Sequence, residues 1–253
     1  MKRIALVLAS AAAASSLAAC GQTDPVRTLP ARDTRPIPVE PDYPVGGPTQ
    51  PQAPAFNPQI QQMVMAAVQR LDAIKTIEGK VRFEEWKGDQ QDAGEAQFTF
   101  RQRPFAARVD VLSSNRMLAS GTSVLWQGGT SLKVKPVGLP LTMTFAYDHS
   151  QVVSLRGYRM DQTDLFSMGK VLRAPGAQIR PLGPRNVRGE EVFILEVKSP
   201  GSLPDVSHEL IGLHTRHQIP TYREMYSGSK LIHRGQGLNL RFDGSLDGEA
   251  FDL

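Results

Sequence analysis

The chain is almost without cysteine: Cys20 is the only one among 253 residues. An internal disulfide is therefore excluded, and so are thiolate nucleophiles and cysteine-based metal sites in the body that follows. Also missing are a Gly-x-Ser-x-Gly elbow, a phosphate loop, a dinucleotide fingerprint and a His-Glu-x-x-His pair, so the chemistry those motifs position has no visible carrier. The expectation is a protein that is not an enzyme and uses no cofactor. No cluster of lysine or arginine is interleaved with aromatics, which argues against nucleic-acid binding. Three histidines, His208, His214 and His217, are the nearest approach to a metal site. On one strand the first two share a face and the third points away, so none is expected. The acidic residues Asp243, Asp247, Glu249 and Asp252 lack EF-hand spacing and read as a solvated terminus. No internal repeat of fixed period is visible.

What is present begins with Lys2 and Arg3, an apolar stretch over residues 4–14, and Leu17-Ala18-Ala19-Cys20-Gly21. A positive start, a short apolar core and small residues describe a secretory signal, residues 1–19, too short for a permanent span. The stretch ending in Cys20 resembles the bacterial lipobox. That resemblance implies cleavage before Cys20, a diacylglycerol on its sulfur and an acyl chain on its new amino group; two or more chains give stable anchoring where one would be marginal. Gly21, where proteobacterial sorting rules would need Asp for inner-membrane retention, favours the outer membrane, facing the periplasm. Loss of a leader holding Lys2, Arg3 and no acid takes the net charge from +4 to +2, leaving a nearly neutral protein.

Residues 20–58 carry the anchor and then a proline-rich stretch with few large apolar side chains. Such a composition cannot bury enough surface to offset ordering, so a disordered tether is expected. At about 3.1 Å per residue in polyproline II, its reach is on the order of 100 Å.

The body, residues 59–253, is long enough for one domain with a sizeable core. Asn57 is a candidate cap for a helix over residues 59–75, with Pro58 at its first position and Ile60, Val64, Ala67, Leu71 and Ile74 on one stripe. The period then changes to two. Ala96, Phe98 and Phe100 alternate with Glu95, Gln97, Thr99 and Arg101; Phe105, Ala107, Val109 and Val111 alternate with Ala106, Arg108 and Asp110. Leu132 and Val134 oppose Lys133 and Lys135, after a hairpin turn at Gly128-Gly129. A long strand is expected over residues 139–147, with Leu139, Leu141, Met143, Phe145 and Tyr147 on one face. Further strands are read at 192–198, 206–215, 221–226, 230–234 and 238–242, with breaks at Pro200-Gly201, Ile219-Pro220 and Gly228. Between the two strand groups, residues 161–172 put Leu165, Met168 and Leu172 on one helical face, flanked by Phe166 and Val171; both a core plug and a mobile lid fit this pattern.

The order of these elements, with the stretches Ile77-Glu78-Gly79, Phe100-Arg101-Gln102-Arg103-Pro104-Phe105, Val124-Leu125-Trp126-Gln127-Gly128-Gly129, Val134-Lys135-Pro136 and Asp164-Leu165-Phe166, resembles the superfamily of bacterial lipoprotein-localisation factors, LolA and LolB, and in particular a LolA-like lipoprotein branch. The resemblance implies a mainly β (α+β) fold: a single large curved antiparallel sheet forming a half-open barrel, covered by an N-terminal helix and a short helical lid. A curved sheet with an apolar inner face either packs shut or encloses a ligand. The candidate lipid-binding residues are Phe98, Phe100, Phe105, Val109, Leu141, Met143 and Phe145 on the sheet, and Leu165, Phe166, Met168 and Leu172 on the lid. Arg101, Arg103 and Arg108 fall on polar faces, unlike the basic sheet residue of LolA.

Two functions follow from this reading: a membrane-anchored module that binds lipid or the acyl chains of lipoproteins, or a non-enzymatic module that binds an envelope protein partner on the same fold. Both need the anchor. Replacing Cys20 with serine is expected to leave a soluble or unprocessed protein, while the wild-type mature chain begins at Cys20 and carries acyl mass by intact-mass spectrometry. A mature chain that begins elsewhere without acyl mass removes the anchor.

Overall fold

The computed structural model describes residues 57–115, 120–199 and 203–253. The signal, Cys20, the tether up to residue 56 and the Pro200-Gly201 break lie outside them.

The first helix, α1 (Pro58–Ala73), starts as its sequence dictates: Asn57 accepts from the N–H groups of Gln59 and Ile60 at 3.1 and 3.3 Å, and Pro58 needs no partner at the first turn. Val64, Ala67, Val68 and Leu71 form its buried stripe. Ile74 is already extended, and the chain passes into β1 (Thr76–Lys87). There follow β2 (Gln90–Arg101), β3 (Ala106–Ser114), β4 (Ser123–Trp126), β5 (Ser131–Lys135) and β6 (Met143–Ala146). Two short helices, α2 (Met160–Thr163) and α3 (Leu165–Leu172), precede β7 (Gln178–Val187), β8 (Glu190–Lys198), β9 (His208–His214), β10 (Pro220–Ser227) and β11 (Lys230–Phe242). All pairings are antiparallel, in one eleven-stranded sheet of order β6-β5-β4-β3-β2-β1-β11-β10-β9-β8-β7. The edges β6 and β7 do not pair with each other, so the sheet is open.

Helices α1 and α3 pack on one face. Over β8 and β9, Val64, Ala67, Val68, Met168 and Leu172 meet Leu195, Val197, Ile211 and Leu213. Toward β1–β3, Leu71 and Ile74 meet Ile77, Phe100 and Ala107. Each such Val, Leu, Ile, Met or Phe side chain contributes about 1.5–3 kcal/mol on burial, which is what holds short helices that would be marginal alone.

Several elements depart from the sequence expectation, each for a local reason. The strand expected over 139–147 shrinks to the four residues of β6, because Pro140 has no N–H for the ladder and Gly138 takes a positive φ of 74°. Leu139 and Leu141 consequently stand outside the sheet, 46% and 50% exposed. The two strands expected at 230–234 and 238–242 are one, β11, with a positive-φ residue, Asn239, at its bulge against β1. The single lid segment is broken at Asp164, which leaves the helix to cap α3 through the Ser167 N–H at 2.7 Å. Strand β7 holds Pro181 and Pro184 and is tolerated because it is an edge. The acidic terminus is not solvated throughout: Phe251 is buried with Leu246, Ala250 and Leu253 against Ala106 and Leu125, on the face opposite the helices. Arg108 donates to the carbonyls of Ala250 and Asp252, and the Arg101 guanidinium lies 4.6 Å over the Phe251 ring.

Gly94 shows how tightly the sheet is closed at the β2–β3 irregularity. A Cβ there would sit 2.3 Å from the Ser113 carbonyl oxygen and 2.8 Å from the Phe83 ring. Gly94→Ala is therefore expected to destabilise the domain by about 1–3 kcal/mol, read as a lower denaturation midpoint. An unchanged midpoint would show that the β3 backbone yields freely.

Candidate functional site

The β1–β6 half of the sheet presents its helix-bearing face as a row of apolar side chains in cross-strand register. Phe98 pairs with Val109, Val109 with Val124, Val124 with Val134, and Val134 with Met143. One step along, Leu132 pairs with Phe145, and Phe100 with Ala107. Strict alternation places these on one face because successive side chains point to opposite sides. The row spans five strands, and Phe98, Val109, Val124, Met143 and Phe145 remain only half-buried along it.

At one border the row is closed by aromatic contacts. The Phe166 ring of α3 lies 4.5 Å from Phe100, Phe100 lies 5.8 Å from Phe105, and Phe105 lies 4.9 Å edge-on to Trp126. Tyr147 stacks beyond Trp126 at 6.5 Å, beneath the Arg159 guanidinium.

The lid is held by charge rather than by fat alone. Arg223 of β10 and Glu209 of β9 form an ion pair on the helix-bearing face, Nε to Oε2 2.7 Å, with side chains 3% and 0% exposed. The guanidinium also donates through Nη1 to the Gln162 carbonyl at 2.9 Å and to the Ser167 hydroxyl at 2.8 Å. One arginine thus grips both lid helices. A second polar anchor holds the strand-to-lid connection: buried Glu85 of β1 accepts from the Ser154 hydroxyl and the Arg156 N–H, each at 2.9 Å. Arg156 reaches the Trp86 carbonyl and Asp205, which also accepts from Tyr158. Burial pushes the Glu85 carboxyl up, yet the neighbouring His233 imidazole and these donors outweigh it and hold the carboxyl below its ordinary value. His233 Nδ1 lies 3.6 Å from Glu85 and has no hydrogen-bond partner.

The structure thus divides the sequence-derived candidates. Phe98, Phe105, Val109, Met143, Phe145, Leu165 and Phe166 are half-buried at or beside the apolar row. Phe100, Met168 and Leu172 are fully buried in packing. Leu141 does not join the row; it stands on the β5–β6 loop. Val124, Trp126 and Val134 belong with the row and were legible from the same alternation. Arg223 and Glu209 carried a different signal, charges inside strands otherwise buried on both faces.

Elsewhere, a groove of about 460 Å³ lies between α1 and the β8–β9 strands, lined by Met63, Ala66, Phe193 and Leu213 with Gln59 and Gln218 among its polar residues. Beside it a polar pocket of about 240 Å³ includes His214 and His217. His208 stacks on Tyr226 away from them, and no group of three His, Cys, Asp or Glu among the described residues is set to hold a metal.

No protein-family model and no curated protein sequence matches the chain. Similar solved structures include the lipoprotein LppX of Mycobacterium tuberculosis, 11% identical over 76% of this chain and 99% of that one, TM-score 0.49. An uncharacterised conserved protein of Thermus thermophilus is 8% identical over 77% and 93%, TM-score 0.48. A LolA-superfamily protein of Nitrosomonas europaea is 13% identical over 76% and 97%, TM-score 0.36.

Removing the arginine should release the lid. Arg223→Met takes the guanidinium away from the buried Glu209 carboxylate, at a cost of about 3–5 kcal/mol, whereas Arg223→Met with Glu209→Leu should recover most of it. In both variants the amides of α2 and α3 are expected to exchange hydrogen faster than in the parent. Unchanged exchange in the double variant would show that apolar contacts alone hold the lid.

Proposed function

We propose that the protein is a lipid-anchored envelope module, held at the outer membrane through Cys20, that binds lipid or acylated cargo on the helix-bearing face of β1–β6 without chemistry. One observation carries this reading: the cross-strand apolar row is built in register, yet Phe98, Val109, Val124, Met143 and Phe145 along it are left half-buried while Leu132 and Val134 are buried, beside a lid gripped by a buried ion pair. An ordinary core would be covered. From β2 to β6 the row is about 19 Å wide at ~4.8 Å per strand, the scale of an extended fatty-acyl chain. Covering it with methylenes contributes about 0.8 kcal/mol each, enough for useful affinity without a single polar contact.

Phe98, Val109, Met143 and Phe145 are the residues on which the cargo would lie, with Leu165 and Phe166 bordering it. Envelope trafficking of lipids or lipoproteins is the process such binding would serve. A protein partner seated on the same apolar face is the second reading, and the same assay separates the two.

Displacement of a fluorescent fatty acid from the chain should be saturable. Phe145→Asp, on the edge strand, places a charge against the acyl chain and is expected to weaken binding about tenfold or more while leaving the fold largely intact. No saturable binding by the wild type, across fatty acids and acylated peptides, would remove the carrier reading in favour of the protein partner.

A further inference from the structure

We propose that the β5–β6 loop, residues 136–142, is a membrane-docking tip that inserts Val137, Leu139 and Leu141 into the lipid interface while Lys133 and Lys135 face anionic headgroups. This is a contact made by the folded body itself, separate from the acyl anchor, and it holds whether or not the sheet binds cargo.

Of the six most exposed large apolar side chains among the described residues, three are these: Val137 at 58%, Leu139 at 46% and Leu141 at 50%. Apolar residues scattered singly over a surface are ordinary, but three on one seven-residue loop form a patch that water disfavours. Two prolines also lessen the number of backbone donors the loop would carry into an apolar medium. Pro136 and Pro140 have no N–H to leave unpaired, and the Leu139 N–H turns back to the Pro136 carbonyl at 3.4 Å.

Charge points the same way. From Val111 to Tyr147 the chain holds no Asp or Glu, although the whole sequence has 25, and the cations in that stretch are Arg116, Lys133 and Lys135. The register puts Lys133 opposite Leu125 and Thr144, on the sheet face away from the apolar row, and Lys135 on the same face at the base of the loop. Apolar tip and basic base together fit an anionic bilayer surface, where each lysine near the headgroups adds attraction. The loop leads directly into β6, so a docked tip would bring Met143 and Phe145 close to the interface.

The test uses the full chain with Cys20→Ser, which removes the acyl anchor and the only native thiol. An environment-sensitive fluorophore is attached at Leu139→Cys or, as a control, at Arg216→Cys, exposed on the β9–β10 turn at the opposite ends of the strands. Vesicles of phosphatidylethanolamine and phosphatidylglycerol, about three to one, should shift the emission of the first probe to the blue and raise it about twofold, and leave the second unchanged. With the probe at Val137→Cys, adding Leu139→Ser and Leu141→Ser should cut the response at least about fivefold without moving the thermal transition, since these side chains are exposed. Lys133→Gln with Lys135→Gln should weaken the response to the anionic vesicles and not to phosphatidylcholine vesicles. A probe at 139 that stays in water on all vesicles, or responses equal at 139 and 216, overturns the proposal. A blue shift that instead follows protein concentration without lipid assigns the loop to a second copy of the chain and overturns it equally.

Discussion

A guanidinium buried to 3% exposure cannot be left with a loose partner, and the arrangement of the helices follows from how Arg223 is satisfied. Glu209 neutralises it across β9 and β10, but a carboxylate leaves several of its donors free. Gln162 and Ser167 take them, one from each lid helix. The helices are too short to persist alone, so their position is set by this pin together with the apolar stripe of α3. Replacing such a pair by well-packed hydrocarbon is often neutral or favourable to stability. Its presence here is accordingly read as specifying where the lid sits more than how stable the domain is.

With the lid fixed over β8–β10 and the Phe100 border, the β2–β6 half keeps an apolar row that is only partly covered. The eleven-stranded sheet is broader than the three helices among the described residues can cover. Residues such as Val109 and Met143 therefore differ from Ile211 or Leu195 in how far they are covered, not in their chemistry. Polar anchors at Glu85 and Asp205 tie down the segment that crosses from β6 to α2, so the border of the row is held by hydrogen bonds at one end and by tilted and edge-on aromatic rings at the other.

Much of this was legible where local and tertiary demands agree. Strands β2, β3 and β5 show clean alternation because one face meets apolar neighbours and the other water, and α1 announces itself through Asn57, Pro58 and a single stripe. Legibility failed where one demand overrode another. In β1 the alternation is interrupted by Glu85 pointing inward to serve Ser154 and Arg156. In β7 the prolines look like loop until its place at the sheet edge is known. From 139 to 147 the spacing of apolar residues is that of a strand, but Pro140 and Gly138 withdraw the first half from the ladder.

By itself the sequence determined the leader-like start with its single cysteine, the lack of a second cysteine with which it could form an internal disulfide, the period of most strands, the capping of α1, and the apolar side chains that fall on one sheet face. Those are local properties, written in residue type and spacing. Only the tertiary structure decided that Phe98, Val109, Val124, Val134 and Met143 line up across strands, since register depends on turns and bulges rather than on composition. It alone joined Arg223 to Glu209, Gln162 and Ser167, and it alone left Val137, Leu139 and Leu141 in water, because burial belongs to what neighbours a residue in space.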